Sequence, residues 1–234
     1  MENIGIYTAI IIEPRKHPAM EFVLQNFTDN LDTRWNFIIF HGIDNDSWLK
    51  DLISNINISN KDRIQLYNLG VKNLTIPEYS KLCVSRSFIE LIPTEIFLIF
   101  QTDTMICSSE KELIYKFLQY DYVGAPWCKE NTNNPGCGKV GNGGLSLRRK
   151  TKMLEVISKV PYKINYHEDT YFCVNNTIVP LNMPSWEEAQ LFSMETVYSA
   201  KCFGLHKAWQ FQNISKVEQQ FPGFSELVKL NSKI

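Results

Sequence analysis

The sequence has no apolar run long enough to cross a membrane. A membrane-spanning helix needs about 18 uninterrupted apolar residues, and every apolar stretch here is shorter. The first residues, Met1-Glu2-Asn3, also lack the basic segment with which a secretory signal peptide begins. We therefore expect a cytoplasmic protein without a membrane span.

Neither sign of charge is in excess. The 24 Lys and Arg residues and the 25 Asp and Glu residues give a net charge of −1 at pH 7. Binding to the phosphates of a nucleic acid needs a cluster of basic residues on one surface. The sequence contains no such cluster, so we expect no nucleic-acid partner.

The six cysteines lack the paired spacing of a disulfide framework or a zinc site. They lie at positions 83, 107, 128, 137, 173 and 202, and no two form a C-x-x-C motif. Cys128 and Cys137 flank one loop, where a disulfide or a shared metal ion is the alternative to two free thiols. Scattered thiols are typical of reduced intracellular proteins, and we expect free thiols here.

The composition is that of a globular protein. Hydrophobic residues make up 44% of the 234 residues, and charged residues make up 21%. This length suits one large domain or two small ones. The chain has no internal repeat, low-complexity segment or clear linker, although the residues after Ala125 are richer in loop-forming types and mark a second subregion.

The apolar residues alternate between the spacing of strands and the spacing of helices. β-Branched and aromatic runs predict strands at residues 4–13, 35–41, 64–69, 95–100 and 120–123. Apolar residues three to four positions apart predict helices at residues 19–31, 47–53, 76–91 and 111–118. Alternating strands and helices form an α/β fold, so we expect a sheet that is mostly parallel in its first half.

Glycine is concentrated in one stretch that precedes a strand. Gly141, Gly143 and Gly144 allow a sharp turn and a close approach of the backbone to a ligand, because glycine has no Cβ. Leu145-Ser146-Leu147 then predicts a short strand, and Arg148 begins the next helix. A tight structural turn is the alternative explanation of these glycines.

Three polar groups follow predicted strands. Glu13-Pro14-Arg15 follows the first strand, His41-Gly42 the second, and residues 101–103 the most hydrophobic one. Ligands of open α/β sheets bind beyond the carboxyl ends of the strands, so these groups are candidates for a site. Asp103 is either a metal ligand or a cap of the next segment.

Two clusters later in the chain carry titratable side chains. The pair Glu168-Asp169 precedes a short helical turn. Either the two acids cap that turn or one of them acts as a general base. His206 and Lys207 lie side by side. A histidine in such a strand is usually structural, whereas beside a carboxylate it can bind a metal.

Taken together, these motifs are similar to those of GT-A-type glycosyltransferases, and in particular to an uncharacterised group of GT-A-like proteins from bacteria, fungi and large DNA viruses. The matching stretches are residues 13–15, 40–42, 100–104, 120–127, 141–148, 168–169 and 204–207. The resemblance implies a single GT-A-like α/β domain over residues 1–234, with a central, mostly parallel twisted sheet flanked by helices. Residues 1–107 would form the nucleotide-binding half, and residues 108–234 the acceptor and catalytic half.

The resemblance also implies a metal site. GT-A enzymes hold Mn²⁺ or Mg²⁺ against the diphosphate of a nucleotide sugar with a D-x-D motif, which reads Gln101-Thr102-Asp103 here. Asp103 remains a ligand, and His206 matches the late histidine that completes the metal shell. The first acid of the motif is an amide here, which weakens the expected binding because charge tunes the affinity of hard cations.

The remaining roles follow from the same resemblance. Asp169 matches the general base of inverting members, and Glu168 binds hydroxyls of the donor or acceptor. The expected nucleotide-binding residues are Glu13, Arg15, Gln101 and Lys207. The expected sugar- and acceptor-binding residues are Trp127, Asn142, Gly143 and Gly144, with packing in the core as the alternative for Trp127.

The resemblance thus predicts an enzyme that moves a sugar from a nucleotide-sugar donor, usually UDP-linked, to a hydroxyl of a glycan or other acceptor with inversion. A non-catalytic nucleotide-sugar or carbohydrate-binding module is the main alternative. A glycosidase also needs two carboxylates, for which Asp103 and Asp169 are candidates, but it needs no His-Lys pair. A nucleotidyltransferase needs a glycine-rich basic loop after the first strand, where only Arg15-Lys16 is found.

Overall fold

Strands and helices alternate through the first part of the chain. The computed structural model describes residues 6–57, 61–130, 133, 135–164 and 166–232. The first elements are β1 (Tyr7–Glu13), α1 (Met20–Asn30), β2 (Trp35–His41), α2 (Asp46–Asn55), a 3₁₀ turn (Lys61–Arg63) and β3 (Ile64–Asn68). These elements confirm the sequence prediction within one or two residues at their ends, except that the first strand begins at Tyr7 instead of residue 4, and residues 4 and 5 lie outside the described residues.

The middle of the chain differs from the prediction at two helices. Its elements are α3 (Ile76–Cys83), α4 (Arg86–Glu90), β4 (Ile96–Ile99), β5 (Thr104–Ile106), a 3₁₀ helix (Ser108–Lys116) and β6 (Tyr122–Gly124). The single helix predicted at residues 76–91 is wrong, because the chain is extended at Ser85. The hydroxyl of Ser85 accepts a hydrogen bond from the N–H of Phe88 and caps α4. The helix predicted at residues 111–118 is the 3₁₀ helix.

The last part of the chain contains short strands separated by helices and loops. Its elements are β7 (Ser146–Arg149), α5 (Lys150–Lys159), α6 (Glu168–Thr170), a π-helical turn (Tyr171–Asn175), α7 (Trp186–Ala189), β8 (Ser193–Met194), β9 (Gly204–His206), a 3₁₀ turn (Ala208–Gln210), α8 (Ile214–Gln220) and α9 (Phe224–Asn231). The helix predicted to begin at Arg148 begins at Lys150. Arg148 instead belongs to β7, where it pairs with Phe97 of β4.

The described strands form two sheets. The larger sheet has the order β3-β2-β1-β4-β7-β6, and the smaller has the order β5-β9-β8. Strands β1 to β4 are parallel to one another, and β7 runs antiparallel to its neighbours β4 and β6. This topology confirms the predicted α/β class and the mostly parallel sheet.

The strand register collects polar residues at one edge of the larger sheet. Glu13, at the end of β1, pairs with His41, at the end of β2. Ser146, at the start of β7, pairs with Ile99, at the end of β4. Because β7 is antiparallel to β4, the glycine-rich turn before β7 lies at the carboxyl edge of the parallel strands.

Helices cover both faces of the larger sheet. Phe27 of α1 stacks on Phe100 with ring centroids 4.1 Å apart on one face. Phe88 of α4 and Val156 of α5 are buried against the other face. Burial on both faces explains why β1, β2 and β4 consist of continuous apolar runs rather than alternating patterns.

The sequence predicted no membrane-spanning helix and six free cysteine thiols. No helix within the described ranges is both long enough and apolar enough to cross a membrane. The six cysteines are free thiols, as predicted. Cys128 and Cys137 have separate partners, since Cys137 donates to the carbonyl of Lys129 and Cys128 contacts the carboxylate of Glu130.

Candidate active site

A cavity of about 320 Å³ lies at the carboxyl edge of the parallel strands. It is bounded by the loops after β1 and β4, the start of α3, the glycine turn before β7 and the start of α6. A volume of this size is typical of small-molecule sites. Most of the site residues expected from the sequence line it: Glu13, Arg15, Gln101, Asp103, Asn142, Gly143, Gly144, Glu168, Asp169 and His206.

Pairing between β5 and β9 places Asp103 beside His206. Thr104 pairs with His206 in this sheet, and the N–H of Lys207 donates to the carbonyl of Asp103 at 2.9 Å. The Oδ1 atom of Asp103 lies 3.4 Å from the Nε2 atom of His206. Two residues that are far apart in the chain therefore face each other at the cavity.

His206 lies between two carboxylates, with its Nε2 toward Asp103 and its Nδ1 3.0 Å from Oε1 of Glu195. Burial by itself lowers the pKa of His206, but the two carboxylates outweigh it and raise this pKa to about 10. Burial by itself raises the pKa of Asp103, but His206 and Lys207 outweigh it and hold this pKa below its ordinary value. Asp103 and His206 therefore form an ion pair at neutral pH in the metal-free protein, and His206 must release its proton before its ring can bind a metal ion.

The carboxylate of Asp103 and the imidazole of His206 supply two donors of the kind that divalent ions use. Oδ1 of Asp103 is buried and has no hydrogen-bond partner among the described residues. The described chain contains no group of three or more His, Cys, Asp or Glu side chains placed to hold a metal ion. Mg²⁺ is commonly held by one or two carboxylates together with substrate phosphates. These two residues therefore fit a divalent ion whose shell is completed by substrate oxygens.

Acidic side chains dominate the wall of the cavity. Glu13, Asp103, Glu168 and Asp169 line it, and Arg15 is the one Lys or Arg among the described lining residues. The guanidinium of Arg15 contacts Glu13, with Nη2 2.9 Å from Oε2, while 45% of its side chain stays exposed. Glu13, Asp103 and Glu168 each have a cationic partner. The described lining residues therefore offer little uncompensated positive charge to an anionic ligand such as a diphosphate.

Asn45 and Tyr79 hold the side of the cavity that was predicted to bind the nucleotide. The amide of Asn45 donates to the carbonyls of Glu13 and Arg15, which fixes the loop after β1. Gln101 donates from Nε2 to the phenol oxygen of Tyr79 at 3.0 Å. Gln101, which replaces the first acid of the D-x-D motif, is thereby tied to α3.

The glycine turn leaves room for two side chains of the site. A Cβ on Gly144 would collide with the imidazole of His206, and a Cβ on Gly143 would collide with the carboxylate of Glu168. Asn142 closes the turn, because its Oδ1 accepts a hydrogen bond from the N–H of Gly144 at 3.0 Å. Any larger residue at either position would therefore displace Glu168 or His206 from its observed place.

Glu168 is held by a buried arginine. Nη2 of Arg148 lies 2.6 Å from Oε1 of Glu168, and the Arg148 side chain is fully buried. Arg148 also donates to the hydroxyl of Tyr122 at 3.2 Å and to that of Ser146 at 3.0 Å. The protein therefore fixes the orientation of the Glu168 carboxylate through one of its two oxygens.

Asp169 is partly buried at the start of α6. Its Oδ1 accepts a hydrogen bond from the N–H of Thr170 at 2.6 Å, and its Oδ2 accepts one from the N–H of Gly143 at 3.2 Å. Burial, followed by the charge of Glu168, raises the pKa of Asp169 to about 7. A carboxylate with this pKa can accept and release a proton near neutral pH.

Two residues predicted for the site are not among those that line the cavity. Trp127 is only 5% exposed, and its ring packs over the backbone of Gly136 and Gly141. This burial is what the alternative of packing in the core predicts for Trp127, and the sugar contact stays a prediction. Lys207 follows β9 with a left-handed backbone, at φ = +49°, directly beside the cavity residue His206.

The sequence did not predict a role at the site for Arg148, Glu195 or Tyr79. Glu195 follows the buried strand β8, and an acid directly after buried residues is the same signal that drew attention to Asp103. Arg148 alternates with Ser146 along β7, so both lie on one face of the sheet. An arginine at an alternating position of a buried strand indicates a buried acidic partner.

Solved structures of other proteins share this architecture. An active-site mutant of LgtC aligns with a TM-score of 0.59 and 11% identity over 96% of this chain and 95% of its own. Streptococcus pneumoniae GlyE, a glycosyltransferase, aligns with a TM-score of 0.55 and 10% identity over 95% of this chain and 59% of its own. Residues 1–349 of S. aureus TarS, in complex with UDP-GlcNAc, align with a TM-score of 0.52 and 9% identity over 85% of this chain and 58% of their own.

Identities this low show a shared fold and nothing more. The fold is that of the GT-A nucleotide-diphospho-sugar transferases, as the resemblance of the motifs implied. The chain spans about three fifths of the GlyE and TarS chains that it matches. No curated protein matches the sequence. Residues 63–208 match the family described as "Protein of unknown function (DUF5672)", and the chain therefore belongs to that family.

Proposed function

We propose that this protein is a glycosyltransferase that moves a sugar from a UDP-linked donor to a hydroxyl acceptor, with a divalent ion and with inversion at the anomeric carbon. The observation that carries the proposal is a single cavity that holds the Asp103–His206 pair, the glycine turn and Asp169 together. The GT-A fold supports a nucleotide-sugar donor, since TarS of that fold was solved with UDP-GlcNAc.

In this proposal Asp103 and His206 hold Mn²⁺ or Mg²⁺ against the diphosphate of the donor. The bound ion would supply positive charge to the leaving UDP. The acidic wall of the cavity supports this requirement, since Arg15 is the one Lys or Arg among its described lining residues. Lys207, next to His206 in the chain, adds a second positive charge close to the diphosphate.

The nucleotide would lie along the loops after β1 and β4. Glu13 and Arg15 would contact the base and phosphates, and Gln101 would contact the ribose or the sugar. Asn142, Gly143 and Gly144 would pack against the sugar through their backbone. Residues 1–107 would thus supply the nucleotide-binding half of one domain, and residues 108–234 the acceptor and catalytic half.

Asp169 would act as the general base. It takes the proton of the acceptor hydroxyl while that oxygen forms a bond to the anomeric carbon. The bond from the anomeric carbon to the diphosphate oxygen breaks, and its electron pair leaves with UDP. Attack from the face opposite the leaving group inverts the configuration. The pKa of about 7 keeps a useful fraction of Asp169 ionised at neutral pH.

A nucleotide-sugar-binding module without catalysis is the second candidate. The observation that favours it is that the described residues offer only the Asp103–His206 pair for a metal ion, with no third His, Cys, Asp or Glu. A module of this kind would bind the donor and never cleave it. The enzyme, in contrast, should slowly hydrolyse its donor even without an acceptor.

The two candidates are separated by one set of measurements on the full chain. Thermal unfolding is followed with a panel of UDP- and GDP-sugars, each with and without Mn²⁺, because a ligand of the native state raises the melting temperature. The donor with the largest shift is then incubated for hours with protein and Mn²⁺, and released nucleotide is measured. Release above the rate of a heat-inactivated control supports the enzyme, and binding without release supports the module.

A further inference from the structure

Glu195 is a buried acid that touches two different parts of the cavity. It follows β8 and is only 7% exposed. Its Oε1 accepts a hydrogen bond from Nδ2 of Asn142 at 2.8 Å and lies 3.0 Å from Nδ1 of His206. One carboxylate oxygen therefore joins the glycine turn to the histidine proposed as a metal ligand.

The carboxylate of Glu195 is only partly satisfied by the contacts that it makes. Its second oxygen, Oε2, is buried and has no hydrogen-bond partner among the described residues. A buried carboxylate with an unsatisfied oxygen destabilises the folded state, because its desolvation is only partly offset. The ion pair with His206 compensates one oxygen of Glu195 and leaves Oε2 without a partner among the described residues.

Glu195 and three other residues form a closed cycle of contacts. Asn142, held by Glu195, accepts a hydrogen bond from the N–H of Gly144 at 3.0 Å. Gly144 in turn lies against the imidazole of His206, where any side chain would collide. Glu195, Asn142, Gly144 and His206 therefore restrain one another, and a shift of one displaces the next.

We propose that Glu195 is a positioning residue that fixes the ring of His206 and, through Asn142, the glycine turn, so that the metal side and the sugar side of the site are held as one unit. This inference rests on the proposed function. A histidine whose one ring nitrogen is held by a carboxylate presents the other nitrogen in a fixed direction. Here Nδ1 is held by Glu195, and Nε2 points toward Asp103.

The test uses two variants and one matched control. Glu195→Gln keeps the size of the side chain and removes its charge. Asn142→Ala removes one of the two partners of Glu195 and leaves both proposed metal ligands in place. Glu188→Gln makes the same chemical change at a glutamate on α7 that bonds to Tyr120 and lies outside the cavity. Melting temperatures check the fold of every variant.

Binding of Mn²⁺ in the presence of UDP is then measured by calorimetry for each protein. We expect Glu195→Gln to weaken Mn²⁺ binding by about 10- to 100-fold, the usual effect of losing the partner of a ligating histidine. Asn142→Ala should weaken it by several-fold, and Glu188→Gln should match the wild type. The extra affinity for UDP-GlcNAc over UDP should shrink in the first two variants as well.

The outcomes separate this inference from the proposed function. Mn²⁺ binding within twofold of the wild type in both Glu195→Gln and Asn142→Ala contradicts the positioning role and leaves the proposed function intact. If the wild-type protein binds no Mn²⁺ in the presence of UDP, the proposed metal site is wrong, and the positioning role of Glu195 is wrong as well. If Glu195→Gln does not fold, the result for Asn142→Ala decides.

Discussion

The guanidinium of Arg148 lies 2.6 Å from the carboxylate of Glu168 in the interior, next to the backbone of Gly143. Glu168 is the chain neighbour of Asp169, the residue that we propose as the base. The charge of Glu168 contributes to the raised pKa of Asp169, whereas Arg148 acts in the opposite direction. The chemistry of Asp169 therefore depends on two side chains that are almost inaccessible to solvent.

The first prediction concerns Glu168→Gln. Removal of this charge lowers the pKa of Asp169, so the acidic limb of the pH profile of kcat/KM should move to lower pH. The substitution also leaves Arg148 buried without an anionic partner, and the free energy of unfolding should fall by about 3 kcal/mol. Urea unfolding and pH–rate profiles measure both effects.

The control for this prediction is Asp121→Asn. Asp121 pairs with Arg149 at 3.0 Å. Arg149 lies on the same strand as Arg148, but neither Asp121 nor Arg149 lines the cavity. This change should lower stability and leave the acidic limb of the pH profile in place. An acidic limb that stays at the wild-type pH in Glu168→Gln would show that this pair does not tune Asp169.

The second prediction concerns the rate of transfer. Asp169→Asn removes the basicity and keeps the shape, so transfer should fall by about 10²- to 10⁴-fold while donor affinity changes little. For the wild type, kcat/KM should rise with pH through about 7, because the base must be deprotonated. The product, analysed by NMR, should have the anomeric configuration opposite to that of the donor. An active Asp169→Asn enzyme, or retained configuration, places the base elsewhere.

The third prediction concerns stability and pH. Folding raises the pKa of Asp169 to about 7, so the folded chain holds this proton at pH values where the unfolded chain has released it. The contribution of Asp169 to stability is therefore fully present below about pH 4 and is lost as the pH rises toward 7. Asn does not titrate. The melting temperature of Asp169→Asn relative to the wild type should thus be higher at pH 8 than at pH 5. Equal differences at the two pH values contradict the raised pKa.

The strands of this fold were predictable because their side chains are buried on both faces. β2 was predicted at its observed bounds, since the apolar run Phe37–Phe40 is followed by His41 and then by glycine. Residues 76–91 were predicted as one helix, whereas the structure has two helices there. Apolar spacing continues across the break at Ser85, and only the capping hydroxyl marks it.

The candidate site was predictable where a residue type and a strand end coincide. Asp103 was found in this way, whereas Asp169 was found from the pair of acids at the start of a helical turn, and both line the cavity. The contact of Glu195 with His206 was not predictable, because it depends on two short strands, β8 and β9, that pair across a long loop. The burial of Trp127 likewise depends on Gly136 and Gly141, which leave space for its ring only in the folded chain.

The fourth prediction concerns Gly144→Ala. The added methyl group would collide with the imidazole of His206, so the ring must leave its position 3.4 Å from Asp103. We expect a folded protein in which UDP-sugar binding no longer responds to Mn²⁺. The control is Gly70→Ala, at a left-handed position with open space around it, which should lower the melting temperature and keep the Mn²⁺ response. A normal Mn²⁺ response in Gly144→Ala would show that His206 needs no such space.

The last prediction concerns the amide in the metal motif. Gln101→Asp adds a carboxylate beside Asp103, and Asp103→Ala removes the one that is present. Because charged oxygen ligands tune the affinity for hard cations, the first variant should bind Mn²⁺ more tightly than the wild type, and the second should lose the Mn²⁺-dependent part of UDP-sugar stabilisation. Gln101→Asp also breaks the hydrogen bond to Tyr79, so Tyr79→Phe serves as the control for that loss and should leave Mn²⁺ affinity unchanged. If Asp103→Ala and His206→Ala both respond to Mn²⁺ as the wild type does, the metal is not held by this pair. If instead only Gln101→Asp fails to gain affinity, its carboxylate does not reach the ion, and the amide at this position serves the nucleotide rather than the metal.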